Sequence, residues 1–194
     1  NIEYYDNTCI KNINIDQSDY TISSSDQKKF KNTPSTYGYV TPDGVDTLLS
    51  EIKKYFPNTS NLTFADMGSG SGRVIFSLSN CNFKKLIGIE MSKDRHMMAI
   101  NKRKEINNNS NIVFINDDMF SYNYSDVDVI YISNLCFDKN TNKKIFNKLG
   151  NELKSKSLIF TSQTVKHKQF KFMGTISVKQ SWDSNSILYI NQKI

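Results

Sequence analysis

The feature that most restricts this fold is an apolar run leading directly into three alternating glycines and then a helical pattern: Leu62-Thr63-Phe64-Ala65-Asp66-Met67-Gly68-Ser69-Gly70-Ser71-Gly72-Arg73. Glycines at a strand-to-helix junction let the backbone take positive φ and approach a ligand closely. The helix behind them offers unpaired N–H groups. A tight turn with no ligand would leave two acids unexplained. Asp66 precedes the glycines, and Glu90 closes the next apolar run 18 residues after Gly72. A carboxylate at that second place accepts hydrogen bonds from both hydroxyls of a ribose.

Around this junction, short apolar runs alternate with helical patterns, the signature of a parallel sheet with crossover helices. The runs predict strands over 62–67, 85–90, 111–116, 127–133 and 157–161, separated by helices over 72–79, 92–106 and 140–153. Residues 172–180 and 186–192 then read as two strands with no helix between them, hence an antiparallel C-terminal pair. Before the series, Thr41 or Asp43 caps a helix with Pro42 in its first turn. Val45, Leu48, Leu49, Ile52 and Phe56 share one face, and Pro57 stops it. Residues 1–40 are polar, include Ser23-Ser24-Ser25, and read as an irregular arm with short extended pieces such as 19–22. The expectation is an arm over 1–40 and one Rossmann-like α/β domain over 41–194. That domain carries seven strands, mostly parallel, with helices on both faces.

A chain of 194 residues suits a single core, and 38% hydrophobic against 23% charged residues excludes wholesale disorder. No apolar run approaches the roughly 20 residues of a membrane-spanning helix. Asn1-Ile2-Glu3-Tyr4-Tyr5 has neither the basic head nor the apolar stretch of a secretory signal, and the missing initiator Met fits a trimmed chain. Cys9, Cys81 and Cys136 are odd in number without a C-x-x-C spacing. That argues against a disulfide framework and a zinc site, and for a reducing compartment, nucleus or cytoplasm. The net charge of +6 suits an acidic partner such as nucleic acid or chromatin, although the cations are nearly all Lys scattered among Asn and Ile.

The glycine spacing selects the ligand. Dinucleotide folds prefer G-x-G-x-x-G, and a P-loop needs a following Gly-Lys-Ser/Thr; this chain has G-x-G-x-G with an acid just before it. That favours S-adenosylmethionine, whose ammonium Asp66 can compensate and which has no pyrophosphate to cradle. After the third strand, Asn116-Asp117-Asp118-Met119-Phe120 offers a carboxylate for the adenine amino group and an apolar cover for the ring. The fourth strand ends in Ile132-Ser133-Asn134-Leu135-Cys136-Phe137, not in the Asn/Asp-Pro-Pro-aromatic run of enzymes that methylate exocyclic amines of nucleobases. No Pro-Cys pair exists, so a cysteine nucleophile for cytosine is not indicated, and Cys136 reads as packed.

Four segments together resemble the non-SET histone lysine methyltransferases, the disruptor-of-telomeric-silencing family. Tyr37-Gly38-Tyr39-Val40-Thr41-Pro42 resembles the family's Tyr-Gly-Glu loop, and Asp66 to Gly72 its Asp-Leu-Gly-Ser-Gly-x-Gly motif. Ser133-Asn134-Leu135-Cys136-Phe137 resembles its Asn-Asn-Phe-Ala-Phe, and Ser181-Trp182 with Tyr189 seven residues on resembles its Ser-Trp element. The likeness runs over about residues 35 to 192 and implies a seven-stranded methyltransferase sheet. It implies that Tyr37, Asp66, Gly68, Gly70, Gly72, Glu90, Asp118 and Met119 hold S-adenosylmethionine, with Thr41 touching its methionine end. It further implies that Asn134, Phe137, Trp182 and Tyr189 line a narrow passage for a lysine side chain of a protein, a nucleosomal core histone being the expected substrate.

Such a passage must favour the neutral amine, because free lysine titrates near about 10.4 and an ammonium cannot attack. Apolar aromatic walls do this by withholding water, so no obligatory base is needed, and His96 and His167 read as surface residues. Two departures from the family stand out. Tyr39 occupies the place of its Glu, and these 194 residues contain neither its large helical N-terminal region nor its Lys/Arg-rich tail. Two other readings stay open: a methyltransferase of RNA or small molecules, and a non-catalytic cofactor-binding module.

Overall fold

The computed structural model describes residues 5–13, 22–30, 38–106 and 111–194. In chain order these form α1 (Ser24–Gln27), a 3-10 turn (Lys28–Phe30), α2 (Pro42–Tyr55), β1 (Thr63–Met67), α3 (Arg73–Ser77) and β2 (Lys85–Ile89). Then follow α4 (Lys93–Glu105), β3 (Ile112–Ile115), β4 (Val129–Ile132), α5 (Lys139–Glu152), β5 (Leu158–Thr161), β6 (Phe170–Val178) and β7 (Ser186–Lys193). The strands make one seven-stranded sheet in the order β3-β2-β1-β4-β5-β7-β6. The first five run parallel, and β7 is antiparallel to both β5 and β6. The expected Rossmann-like methyltransferase sheet with an antiparallel C-terminal pair is therefore present.

Strand alternation divides the core. Phe64 packs with Val45, Leu48, Leu49 and Ile52 of α2 and with α3, while Ala65 and Met67 face Ile145, Phe146 and Leu149 of α5. Local chemistry sets the helix starts: the hydroxyls of Thr41 and Ser92 and the carboxylate of Asp138 accept from Gly44, Arg95 and Thr141 N–H. β6 begins two residues earlier than its pattern predicts and carries a bulge between Phe172 and Gly174, where φ is 129° at Gly174. No helix among the described residues is long and apolar enough to cross a membrane.

The cysteine expectation needs correction, because Cys9 and Cys81 form a disulfide. An odd count leaves room for one bridge and one thiol, and the pairing depends on where the arm lies, which spacing does not encode. Lys11 N–H donates to Ser77 O, and Asp46 of α2 accepts from the backbone N–H groups of Asp6 and Asn7, so residues 6–11 are fastened along α2 and α3. Cys136, expected to be packed, is exposed. The turn closed by Phe137 N–H on Asn134 O directs it outward. Of the expected extended piece 19–22, residues 19–21 lie outside the described residues.

Candidate active site

The glycine turn is hooked onto the sheet: Gly68 and Ser69 N–H both donate to Ile89 O, at 2.8 and 2.9 Å. Gly72 has φ 88°, and a Cβ there would lie 2.7 Å from Phe114 Cζ, so glycine is required twice over. Glu90 spans the turn, its Oε2 accepting from Gly70 N–H at 2.8 Å and its Oε1 from Ser92 N–H at 2.7 Å. Each oxygen keeps a lone pair for a ribose hydroxyl. Burial pushes the Asp66 carboxyl up to about 8, with the Glu90 charge adding to it. Burial also raises Glu90, against the lowering effect of Ser92 N–H, Arg95 and Gly70 N–H. Two acids held this far from water suit a ligand that brings a cation and hydroxyl donors.

In front of the turn lies a cavity of about 190 Å³. Ile89, Met91, Met119 and Phe120 give it apolar sides fit for a purine ring, and Asp118, whose Oδ1 caps Phe120 N–H at 2.9 Å, stands at its rim. Three wall residues escaped sequence reasoning: Lys29, Phe30 and Arg95. The guanidinium carbon of Arg95 stands 5.7 Å from the Phe30 ring centre, so the arm covers the cavity. Asp26 fixes that arm by accepting from Ser92 Oγ at 2.7 Å and Asp94 N–H at 2.8 Å and by pairing with Lys29 at 2.7 Å. Nothing in the polar run around Ser23-Ser24-Ser25 signals this role.

Burial opposes ionisation of Asp26, but the Asp94 N–H, Lys29 and Ser92 outweigh it and hold the carboxyl down to about 2. Its stabilising effect is therefore present above the ordinary carboxylate range and disappears as pH falls toward 2. Asp26→Asn is expected to lose about 1–2 kcal/mol at neutral pH, with the difference narrowing near pH 3. Urea denaturation at the two pH values checks this.

The other side of the cavity is a strap zipped to the C-terminal hairpin. Thr41 N–H donates to Lys179 O, Ser181 N–H to Tyr39 O, and Val40 bridges Gln180. Thr41 caps α2, and its hydroxyl also donates to Lys179 O, so Gly38 and Tyr39 are what the strap presents to the site. Tyr37 lies outside the described residues. The guanidinium carbon of Arg73 sits 4.0 Å from the Tyr39 ring centre. Where the family carries Glu, this chain therefore holds a cation, beside Asp66 and Gly68.

Trp182 lies on Gly38, where any Cβ would overlap the indole. With Tyr189, Leu135 and Ile187 it forms the walls of a second cleft of about 230 Å³. Ser162 Oγ and Gln180 Oε1, on residues 8% and 4% exposed, line it or border it without hydrogen-bond partners among the described residues. Phe137 instead faces the cofactor-sized cavity. Asn134 is fully buried behind both: its amide donates to Asn142 Oδ1 and Gln163 O, and its oxygen accepts from Ser162 and Gln163 N–H. His96 and His167 are half-buried rather than on the surface, and neither lines the cavity or the cleft.

Residues 19–192 match the family described as Histone methylation protein DOT1. The chain belongs to the DOT1 family. No curated protein matches it significantly in sequence. Among solved structures, this DOT1-family chain is similar to an RNA methyltransferase from Salinibacter ruber solved with S-adenosyl-L-homocysteine. That likeness has 17% identity, TM-score 0.58, and coverage of 76% of this chain and 90% of that one. It is also similar to magnesium protoporphyrin IX methyltransferase from Synechocystis PCC 6803 with the same ligand, at 14% identity, TM-score 0.62, and 77% and 81% coverage. At these identities the likeness carries the fold, a class I methyltransferase sheet, and leaves the acceptor to be argued from the cleft.

Proposed function

We propose that this methyltransferase moves a methyl group from S-adenosylmethionine to a lysine side chain of a protein, with a core histone in the nucleosome as the substrate. The cleft beside the cofactor cavity is the observation that carries this reading. Its walls are Trp182 and Tyr189, its buried oxygens are acceptors, and among the described residues no Lys or Arg lines it. Such a cleft receives an aliphatic amine and is unsuited to phosphate.

The cofactor's residues are those described: Asp66 toward its ammonium, Glu90 toward its ribose, and Asp118 with Met119 toward its base. When bound, it supplies an electrophilic methyl group on a sulfonium. The chain's own part is to deliver a neutral amine in line with that methyl. Trp182 and Tyr189 offer the amine apolar aromatic faces, which favour its neutral form over a fully hydrated ammonium, and Gln180 Oε1 and Ser162 Oγ can accept its N–H bonds and so orient the lone pair. Asn134 acts at one remove, holding the Leu135 wall against the end of β5. A chromatin substrate implies action in the nucleus.

The test is transfer of radiolabelled methyl to reconstituted nucleosomes, free histones and bulk RNA, followed by protease or nuclease digestion. Protease-released label, reduced about tenfold or more in Trp182→Ala at unchanged cofactor affinity, is the expected result. Label released by nuclease alone moves the function to RNA, and binding without any transfer moves it to a non-catalytic module.

A further inference from the structure

Tyr189 divides two surfaces of opposite character. On one side is the cleft, whose only charged lining group among the described residues is the Asp183 carboxylate. On the other is an open trough of about 770 Å³ over β6 and β7, floored by Val165, Phe170, Phe172 and Tyr189 and rimmed by Lys166 and Lys168. Lys171 is exposed on the same edge strand. None of these three lysines forms an ion pair among the described residues. Lys168 and Lys193 both lie close enough to His167 to disfavour its charge, after burial as the larger cause, so the cations converge on the trough.

The described helices cover only the Phe170 end of the trough's floor. Phe146 of α5 reaches Phe170, with ring centres 5.7 Å apart. Phe172, 6.4 Å from the Tyr189 ring, is left 55% exposed. A large exposed aromatic among unpaired cations, continuous with a cleft of the other sign, marks an interaction surface.

We propose that the trough docks the stretch of the protein substrate adjoining its target lysine, and that this stretch is acidic with an apolar anchor residue. The proposal rests on the cleft being the lysine's entry. Charge complementarity selects this occupant. A polypeptide can place a cation in the acidic cleft, an apolar side chain on Phe172 and carboxylates against Lys166 and Lys168. A nucleic acid strand fits only the trough, since its phosphates would meet Asp183 on crossing Tyr189. The 6.4 Å between the Tyr189 and Phe172 rings corresponds to about two residues of extended chain, which sets where the anchor follows the lysine.

Two fluorescein-labelled single-lysine peptides test this, one flanked on both sides by Leu, Asp and Glu, the other by Leu and Arg. The acidic peptide is expected to bind about tenfold more tightly by anisotropy, to show a correspondingly lower KM at equal kcat, and to weaken with salt. The double variant Lys166→Glu/Lys168→Glu should abolish that preference while leaving kcat and cofactor affinity unchanged. Phe172→Ala should weaken both peptides. Equal binding of the two peptides to the wild type, or a preference that survives the double variant, overturns the proposal. Displacement of the acidic peptide by single-stranded RNA at lower concentration overturns the choice of occupant. Lys166-dependent binding without methylation of either peptide supports the docking surface and overturns the lysine reading instead.

Discussion

Asp66→Asn protein is expected to melt at a higher temperature than the wild type at pH 8 without cofactor, and to gain almost no stability from S-adenosylmethionine. Asp66 is buried at the end of β1, where burial and the neighbouring Glu90 push its carboxyl up to about 8. A carboxyl raised in the folded state stabilises that state at low pH and loses the effect as pH rises from the ordinary range of about 4 toward 8. Asparagine keeps the shape without the charge, so the variant should gain on the order of 5 kcal/mol at pH 8, or roughly 10–20 °C in Tm. In the proposed role the same group must ionise to compensate the cofactor's ammonium. Wild-type affinity should therefore rise nearly tenfold per pH unit from about 6 to 8, as binding releases a proton, and then level off. The Asn variant should bind more than about a hundredfold more weakly at pH 8, with a flat profile. Calorimetry across this range decides it, and a flat wild-type profile would refute the assignment of Asp66.

Asn134→Ala is expected to produce the largest loss of stability in the site, about 4 kcal/mol by urea denaturation. The side chain makes four hydrogen bonds in full burial, to Asn142 Oδ1, Gln163 O, Ser162 N–H and Gln163 N–H. Truncation removes the partner of two backbone donors, one backbone carbonyl and Asn142 Oδ1. Asn134→Asp separates the two halves of the network. It keeps the acceptor for Ser162 and Gln163 N–H but turns an oxygen toward Asn142 Oδ1 and Gln163 O, so it should also be destabilising at neutral pH and recover as the pH is lowered. Equal stability of Ala and wild type would show that the loop after β4 is held by other contacts.

How much of this was legible in the chain follows from what kind of information each part needs. The strands around Phe64, Ile87, Ile130 and Ile159 and the glycine turn are local patterns, and they appear where periodicity and backbone chemistry put them. Glu90 could be placed at the end of the second strand because only one short helix and one strand separate it from Gly72. The wall made by Lys29, Phe30 and Arg95 could not, since it depends on Asp26 meeting Ser92 and Asp94 across 66 and 68 residues. The Cys9–Cys81 bridge was missed for the same reason. The passage foreseen from Asn134, Phe137, Trp182 and Tyr189 is distributed: Trp182 and Tyr189 share the cleft, Phe137 faces the cofactor cavity, and Asn134 stands behind. Adjacency on a loop does not say which way successive side chains turn.

The strap from Gly38 to Thr41 is held by residues 179–181, so contacts more than 130 residues apart in the chain complete the site. Closing so long a loop is entropically unfavourable and late in folding, after the parallel strands between have paired. During synthesis the glycine turn leaves the ribosome long before the hairpin that completes its surroundings. A nascent chain thus cannot assemble the methyl-transfer site until residues 179–189 have emerged.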